Sequence, residues 1–227
     1  MSNLAIIPAR SGSKGLPDKN IKLLCGRPLL AHSVEVAIES GKFGKVFVST
    51  DSDRYAQIAK ECGASADFLR SEEMSSDTAG SWDAVREVIS ELKKRGEHYD
   101  NIMLLQPTSP LRTAEDIVNA FNLFEEKDAD AVLSVTETDH SPLWCNTLPP
   151  DRSMDSFFRP EYENTPRQLL PTYYRINGAI YLINCKCLND ENMFAANTYA
   201  YIMPRERSVD IDTELDFVVA ESILRQN

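Results

Sequence analysis

Short apolar runs alternate along this chain with stretches of helical periodicity. That alternation restricts the fold more than any other feature. Residues 4–7, 46–48, 102–105 and 131–135 read as buried strands. Between the first two, Leu30, Val34, Ala37 and Ile38 repeat at helical spacing, with Pro28 at a first helical position and a stop at Gly41. Residues 55–62 form a second helical stretch, stopped by Gly63. Val85, Val88, Ile89 and Leu92 define a third, and Ile117, Ala120, Phe121 and Phe124, behind a Thr113 cap, a fourth. Strands that are apolar throughout, alternating with helices, indicate an α/β fold whose mainly parallel sheet is covered on both faces. Ligands of such sheets bind beyond the C-terminal ends of the strands. Three polar loops fall at such ends: 10–20, 49–52 and 106–112.

The alternation breaks between residues 139 and 175. That stretch holds six of the twelve prolines, together with Trp144, Phe157, Phe158, Tyr162, Tyr173 and Tyr174. It is too aromatic for a disordered linker. It reads as an insertion with little regular structure that packs against something, a second subunit being one option. Strand-like runs return at 179–183 and 201–203, and a last helix follows Thr213 with Leu215, Val218, Val219 and Ile223 on one face. The division expected is therefore an α/β domain of residues 1–138 and 176–227 with an insertion at 139–175.

The net charge is −11. Such a balance disfavours duplex nucleic acid and anionic membranes, both of which need clustered cations. No apolar run approaches a membrane span, and residues 1–8 do not resemble a signal peptide. Five cysteines without C-x-x-C spacing suit reduced thiols in the cytoplasm. Cys185 and Cys187 read as strand neighbours on one face.

The loop Pro8-Ala-Arg-Ser-Gly-Ser-Lys-Gly-Leu-Pro-Asp-Lys-Asn20 is the most informative segment. Its glycines let backbone amides approach an anion, and Arg10, Lys14 and Lys19 add positive charge in an otherwise acidic chain. It is neither a Walker A loop nor a dinucleotide fingerprint. In Asp210-Ile-Asp212, two carboxylates at i, i+2 on extended chain point the same way and could share a hard cation. Capping of the following helix is the equal alternative, and Glu214 and Asp216 fit it entirely. Gln106 and Thr108 stand on a rigid polar loop that is either a plain turn or a recognition loop. Arg167 and Arg175 offer guanidinium forks for a carboxylate, or else ion pairs. His32, His98 and His140 have no metal-ligand spacing.

Taken together these segments resemble the CMP-sialic acid synthetases (acylneuraminate cytidylyltransferases) from Leu4 to about Leu224. The resemblance is carried by the long first loop, Val48-Ser-Thr-Asp51, Ser76-Asp-Thr78, Leu105-Gln-Pro-Thr-Ser-Pro-Leu-Arg112, Asn177-Gly-Ala-Ile-Tyr181 and Asp210-Ile-Asp-Thr-Glu-Leu-Asp216, in the family's order. It implies a Rossmann-like three-layer sandwich of the nucleotide-diphospho-sugar transferase type. It also implies a reaction: CTP and a nine-carbon 2-keto acid sugar give the CMP-sugar and pyrophosphate, with Mg²⁺ or Mn²⁺. By position, Arg10, Ser13, Lys14, Lys19, Asn20, Arg70 and Ser81 would hold CTP. Lys19, Arg10 and Asp210 would serve catalysis, with Asp210 and Asp212 on the metal. Gln106, Thr108, Arg167, Arg175, Tyr181 and Phe194 would serve the sugar. The resemblance further implies a homodimer formed through the aromatic insertion. Trp144 and Met193-Phe194 depart from the sialate pattern on the sugar side, which leaves legionaminic acid and deaminated sialic acid as alternative substrates. A nucleotide-sugar glycosyltransferase using Asp210-Ile-Asp212 as its metal motif, and a non-catalytic nucleotide sensor, are the rival readings.

Overall fold

Side chains of β1 (Asn3–Pro8) alternate between two cores. Ala5 and Ile7 enter one, Leu4 and Ile6 the other, and all four are fully buried. A strand buried on both faces has to lie inside a covered sheet. The computed structural model describes residues 2–226 apart from Ser13, Lys14, Asp77, Ser156, Glu191, Ala195 and Ala196.

After β1 come a hairpin of two-residue strands, β2 (Leu23–Leu24) and β3 (Arg27–Pro28), then α1 (Leu29–Glu39), β4 (Lys45–Ser49), α2 (Asp53–Glu61), the one-turn α3 (Glu72–Ser75) and α4 (Ser81–Lys94). The second half contains β5 (Asn101–Leu104), α5 (Ala114–Glu126), β6 (Ala131–Glu137), β7 (Tyr174–Asn184), β8 (Thr198–Ile202) and α6 (Glu214–Leu224). Six strands form one sheet in the order β4-β1-β5-β7-β6-β8. Five run in the same direction, and β7 runs against both of its neighbours. Helices α1, α2 and α5 cover one face through Val34, Tyr55 and Phe121. Helix α4 covers the other through Val85, Val88 and Leu92. Burying each such side chain contributes roughly 1.5–3 kcal/mol. The result is the three-layer α/β sandwich that the alternation predicts.

Three sequence expectations need correction. Pro28 is not the first helical residue. It closes the β2–β3 hairpin and precedes α1 as its cap. Cys185 and Cys187 do not sit on a strand. They form a 3-10 turn after β7, because the chain leaves the sheet at Asn184, whose side chain accepts from the Lys186 amide. Strand β7 also opens at Tyr174, five residues before its apolar run. Its first residues pair Glu137 with Tyr174 and Thr136 with Arg175.

Strand order fixes where a ligand fits. The chain leaves β1 for β4 on one side, then returns to β5 on the other. This reversal opens a crevice above the C-terminal ends of β1 and β5. The last helix closes the crevice from the side. Ile211, Phe217 and Ala220 bury against Leu24, Leu29 and Leu111, which pins the segment around residue 211 to the sheet end.

Candidate active site

A cleft of about 600 Å³ occupies that crevice. Arg10, Lys19, Asn20, Arg70, Ser81, Gln106, Thr108, Asp210 and Asp212 all line it. Nine expected site residues, separated by up to 202 positions in the chain, thus meet in one place. Ser13 and Lys14 lie outside the described residues.

The first loop is tied down at both ends. The Ser11 amide and hydroxyl donate to the two oxygens of Asp51, at 2.8 and 3.0 Å. Asn20 donates to the Arg10 carbonyl at 3.0 Å, closing the loop on itself. Asp18 takes a left-handed backbone (φ 53°) and accepts from the Tyr55 hydroxyl at 2.9 Å. Arg70 enters from beyond α2. Its guanidinium donates to the Ser49 hydroxyl and carbonyl at 3.0 and 2.8 Å. Burial pulls the Arg70 pKa down, while Asp51 and Glu87 support its charge.

Lys19 joins the loop to the acidic segment. Its ammonium donates to the Ile211 carbonyl at 2.7 Å and to Asp212 Oδ1 at 3.1 Å. Ile211 is fully buried, so the two flanking carboxylates are left on the cleft side. Gly15 lies against this segment, where a Cβ would meet the Asp212 carbonyl at 3.0 Å. The capping alternative resolves onto other residues. Thr213 caps α6 and Asp216 completes the capping box, accepting from the Asp212 and Thr213 amides. Asp210 and Asp212 are therefore not needed as caps. Burial raises the Asp210 pKa, and Asp212 adds to the rise. The Thr108 hydroxyl, Lys19 and Arg175 work against it. Asp210 Oδ1 is buried without a hydrogen-bond partner among the described residues.

The loop after β5 is held by Arg112, a fully buried residue that the sequence suggested only as the end of a turn. Its guanidinium donates to the Gln106 carbonyl at 3.0 Å, the Ala179 carbonyl at 2.7 Å and the Ser33 hydroxyl at 3.2 Å. Burial pushes its pKa down to about 9. The Gln106 side chain lies on Gly178, which has φ +76°. A Cβ there would stand 2.3 Å from Gln106 Oε1. Beside it, Asn177 accepts from Ser134 at 2.5 Å and donates to Ser208 at 2.9 Å. A buried polar chain thereby connects β6 and β7 to the approach of Asp210.

The remaining candidates lie elsewhere. Arg175 lines an adjoining hollow of about 580 Å³ on the other side of Asp210 and Asp212. Arg167 lies in a separate hollow with Glu137, Thr138 and Tyr173. The structure does not bring Arg167 to the cleft of its own chain. Tyr181 and Phe194 are not among the residues lining the cleft, and both pack edge-on against the Trp82 ring. Asp51, Arg112, Gly178 and Trp82 were not singled out for these roles from sequence. The motifs of Asp51, Arg112 and Gly178 are visible in the sequence, whereas Trp82 lies in none, and all four contacts depend on pairings across the fold.

Comparison with known proteins identifies the family. Residues 4–159 match the family model described as Cytidylyltransferase. An N-acylneuraminate cytidylyltransferase of Streptococcus agalactiae is 40% identical over 221 residues, 96% of this chain and 52% of the relative. This chain thus spans about half the length of that relative. A CMP-N,N'-diacetyllegionaminic acid synthase of Legionella pneumophila is 34% identical, covering 100% of this chain and 98% of the relative. Among solved structures, CMP:2-keto-3-deoxy-manno-octonic acid synthetase complexed with CTP has the same fold, with a TM-score of 0.74 at 17% identity over 100% of this chain and 99% of the other. With a family model covering most of its length and a relative above 30% identity that it spans almost end to end, the chain belongs to the cytidylyltransferase family.

Proposed function

We propose that this protein transfers the cytidylyl group of CTP to a nine-carbon 2-keto acid sugar, N-acetylneuraminic acid or a close relative. The products are the CMP-sugar and pyrophosphate. The observation that carries this reading is the meeting of Arg10, Lys19 and Arg70 with Asp210 and Asp212 across one cleft. The cations suit a triphosphate, and the carboxylates suit the site of proton transfer and a metal.

The sugar's anomeric hydroxyl attacks the α-phosphorus. The new oxygen–phosphorus bond forms as the bond to the pyrophosphate oxygen breaks, and the electron pair leaves with pyrophosphate. Asp210 accepts the hydroxyl proton. Arg10 and Lys19 hold the charge that develops on the phosphates. Asp210 and Asp212 fit a divalent cation, Mg²⁺ or Mn²⁺. Asp210 offers a buried oxygen without a partner among the described residues, and both donors are hard carboxylates. Among the described residues no set of three or more His, Cys, Asp or Glu could hold a metal alone, so phosphate oxygens and water would complete the coordination. Bound there, the cation would neutralise phosphate charge.

Asp51 acts through Ser11. Asp51→Ala removes two charge-assisted hydrogen bonds, each worth about 1.5–3 kcal/mol in general. It is expected to raise the KM for CTP about tenfold, with little change for the sugar acid, in steady-state assays varying each substrate.

We further place the insertion at 139–175 in a homodimer. Leu148, Met154, Phe158 and Leu169 within it are exposed, as are Tyr174, Ile176 and Ile202 on the adjoining sheet end. A second subunit covering this face would bring a partner copy of Arg167 toward the sugar. Arg167→Ala is then expected to raise the sugar KM at least tenfold and the KM for CTP less than twofold. A larger change for CTP would put Arg167 in the wrong pocket. No helix among the described residues is long and apolar enough to cross a membrane. The five free cysteines suit a reducing cytoplasm.

The test is pyrophosphate release with CTP and Mg²⁺ across N-acetylneuraminic acid, diacetyllegionaminic acid and the deaminated acid. Release that requires one of these acids supports the reading. Diacetyllegionaminic acid is included in the test because the Legionella relative named for it aligns almost end to end. Release with none, from folded protein that binds CTP, overturns the sugar assignment.

A further inference from the structure

Between the edge strand β8 and helix α6 the chain makes a 3-10 turn (Arg205–Arg207) and then supplies Asp210 and Asp212 to the cleft. Arg207 ends that turn. Its guanidinium donates to both oxygens of Asp116, at 3.1 and 2.6 Å. Asp116 stands in the first turn of α5 and is 1 % exposed. It also accepts from the Thr113 amide and hydroxyl, each at 2.9 Å, and from the Tyr201 hydroxyl at 3.0 Å. Burial works to raise the Asp116 pKa, but the bonds from Arg207 and Thr113 outweigh it and hold the carboxyl below its ordinary value. The same carboxylate supports the charge of Arg112, the buried guanidinium that holds the Gln106 carbonyl.

We propose that Arg207 is a positioning residue, whose two bonds to Asp116 fix Asp210 against the loop that carries Thr108. The inference rests on the function proposed above. Helix α5 begins directly after that loop, so Asp116 is fixed relative to Gln106 and Thr108. Beyond Arg207, the Ser208 hydroxyl donates to the Pro204 carbonyl at 2.7 Å and accepts from Asn177 at 2.9 Å. Two residues later the Thr108 hydroxyl meets the Asp210 carboxylate, and the Ile211 amide donates to the Thr108 carbonyl at 2.8 Å. The loop and the acidic segment thus meet twice, at Thr108 inside the site and at Asp116 outside it. A guanidinium on both oxygens of a carboxylate sets direction as well as separation, which a point charge does not. Asp116 is buried, so leaving it without this partner is costly, and the pair resists sliding. Arg207 therefore determines where the chain starts toward Asp210, without touching substrate itself.

The experiment compares Arg207→Met, Arg207→Lys and Tyr201→Phe with the wild type. Tyr201→Phe is the control, because it takes one bond from Asp116 and leaves the turn at 205–207 untouched. All three should lower the thermal midpoint. In Arg207→Met, kcat is expected to fall about tenfold, since small displacements of a reacting group are enough for that, while the KM for CTP stays within twofold. Arg207→Lys keeps a charge on Asp116 and should lose about threefold, which carries the test should the methionine variant fail to fold. Tyr201→Phe should keep kcat within about 1.5-fold. Hydrogen exchange at the Ile211 amide gives a readout independent of turnover. It should quicken in the Arg207 variants and stay at the wild-type rate in Tyr201→Phe. Unchanged kcat and exchange in the Arg207 variants overturn the proposal. A loss of kcat in Tyr201→Phe equal to that in Arg207→Met also overturns it, by marking the cluster as support for the fold alone. Wild-type protein inactive with every acid, but with the expected exchange pattern, would defeat the proposed function and not the tether.

Discussion

Asp210→Asn is expected to lower kcat about 10³-fold and, at neutral pH, to raise the thermal midpoint. The kinetic loss has two sources. A positioned base typically contributes 10²–10⁴-fold, and the variant also removes one of the two carboxylates that fit a cation. The gain in stability follows from linkage. Burial, with help from Asp212, raises the folded-state pKa of Asp210 above its unfolded value. The folded state therefore holds this proton more tightly than the unfolded chain does. Its contribution to stability is complete below the unfolded pKa and is lost as pH rises through the folded pKa. At neutral pH the ionised carboxylate is a burden that asparagine lifts. At pH values below the usual carboxylate range, both states of the wild type are protonated and the difference should vanish. Thermal unfolding of the two proteins at several pH values, beside steady-state kinetics, checks both halves. A variant that is less stable at neutral pH would mean that Lys19 and Arg175 outweigh burial.

Gly178→Ala carries the second large effect. Its backbone has φ +76°, where an L side chain adds about 1–2 kcal/mol of strain. The added methyl would also meet Gln106 Oε1 at 2.3 Å and Ser109 Oγ at 3.3 Å. Arg112 holds the Gln106 carbonyl from the other side, so the backbone of this loop has little room to retreat. The side chain has to swing away instead. Displacing a positioning group by about 1 Å can lower rates about 10²-fold. The expected result is a loss of that order in kcat/KM for the sugar acid, with affinity for CTP within threefold of wild type. The Gln106→Ala background isolates the cause. There the methyl has no amide to displace, and the penalty should shrink to backbone strain. A penalty of equal size in both backgrounds would place the effect in β7 and not in Gln106.

Much of this arrangement was legible in the sequence, and the limits have physical reasons. Apolar runs such as those at residues 4–7 and 102–105 announce strands buried on both faces, and helical spacing at Val85, Val88 and Leu92 announces their cover. A run such as 179–183 carries no information on direction, so the reversal of β7 could not be read from it. Its start at Tyr174 was hidden because the preceding stretch is rich in proline and aromatic residues. The cationic first loop and the paired aspartates declared themselves by residue type. Choosing between capping and ligation at Asp210 and Asp212 required seeing Thr213 and Asp216 share the cap. The supports of the site were harder to find. Asp51 under Ser11, Gly178 under Gln106 and Trp82 against Tyr181 and Phe194 join residues 40 to 112 positions apart, farther than spacing can reveal.

The most direct measurement follows the phosphorus atoms of CTP. Reactions are run with CTP labelled at the α-phosphorus and, separately, at the γ-phosphorus, each with and without N-acetylneuraminic acid or its relatives. The account predicts that the α label appears in a CMP-sugar and the γ label in pyrophosphate, both only when the acid is present. The γ label in the sugar, or α label released as free CMP without a sugar conjugate, would contradict attack at the α-phosphorus by the sugar hydroxyl.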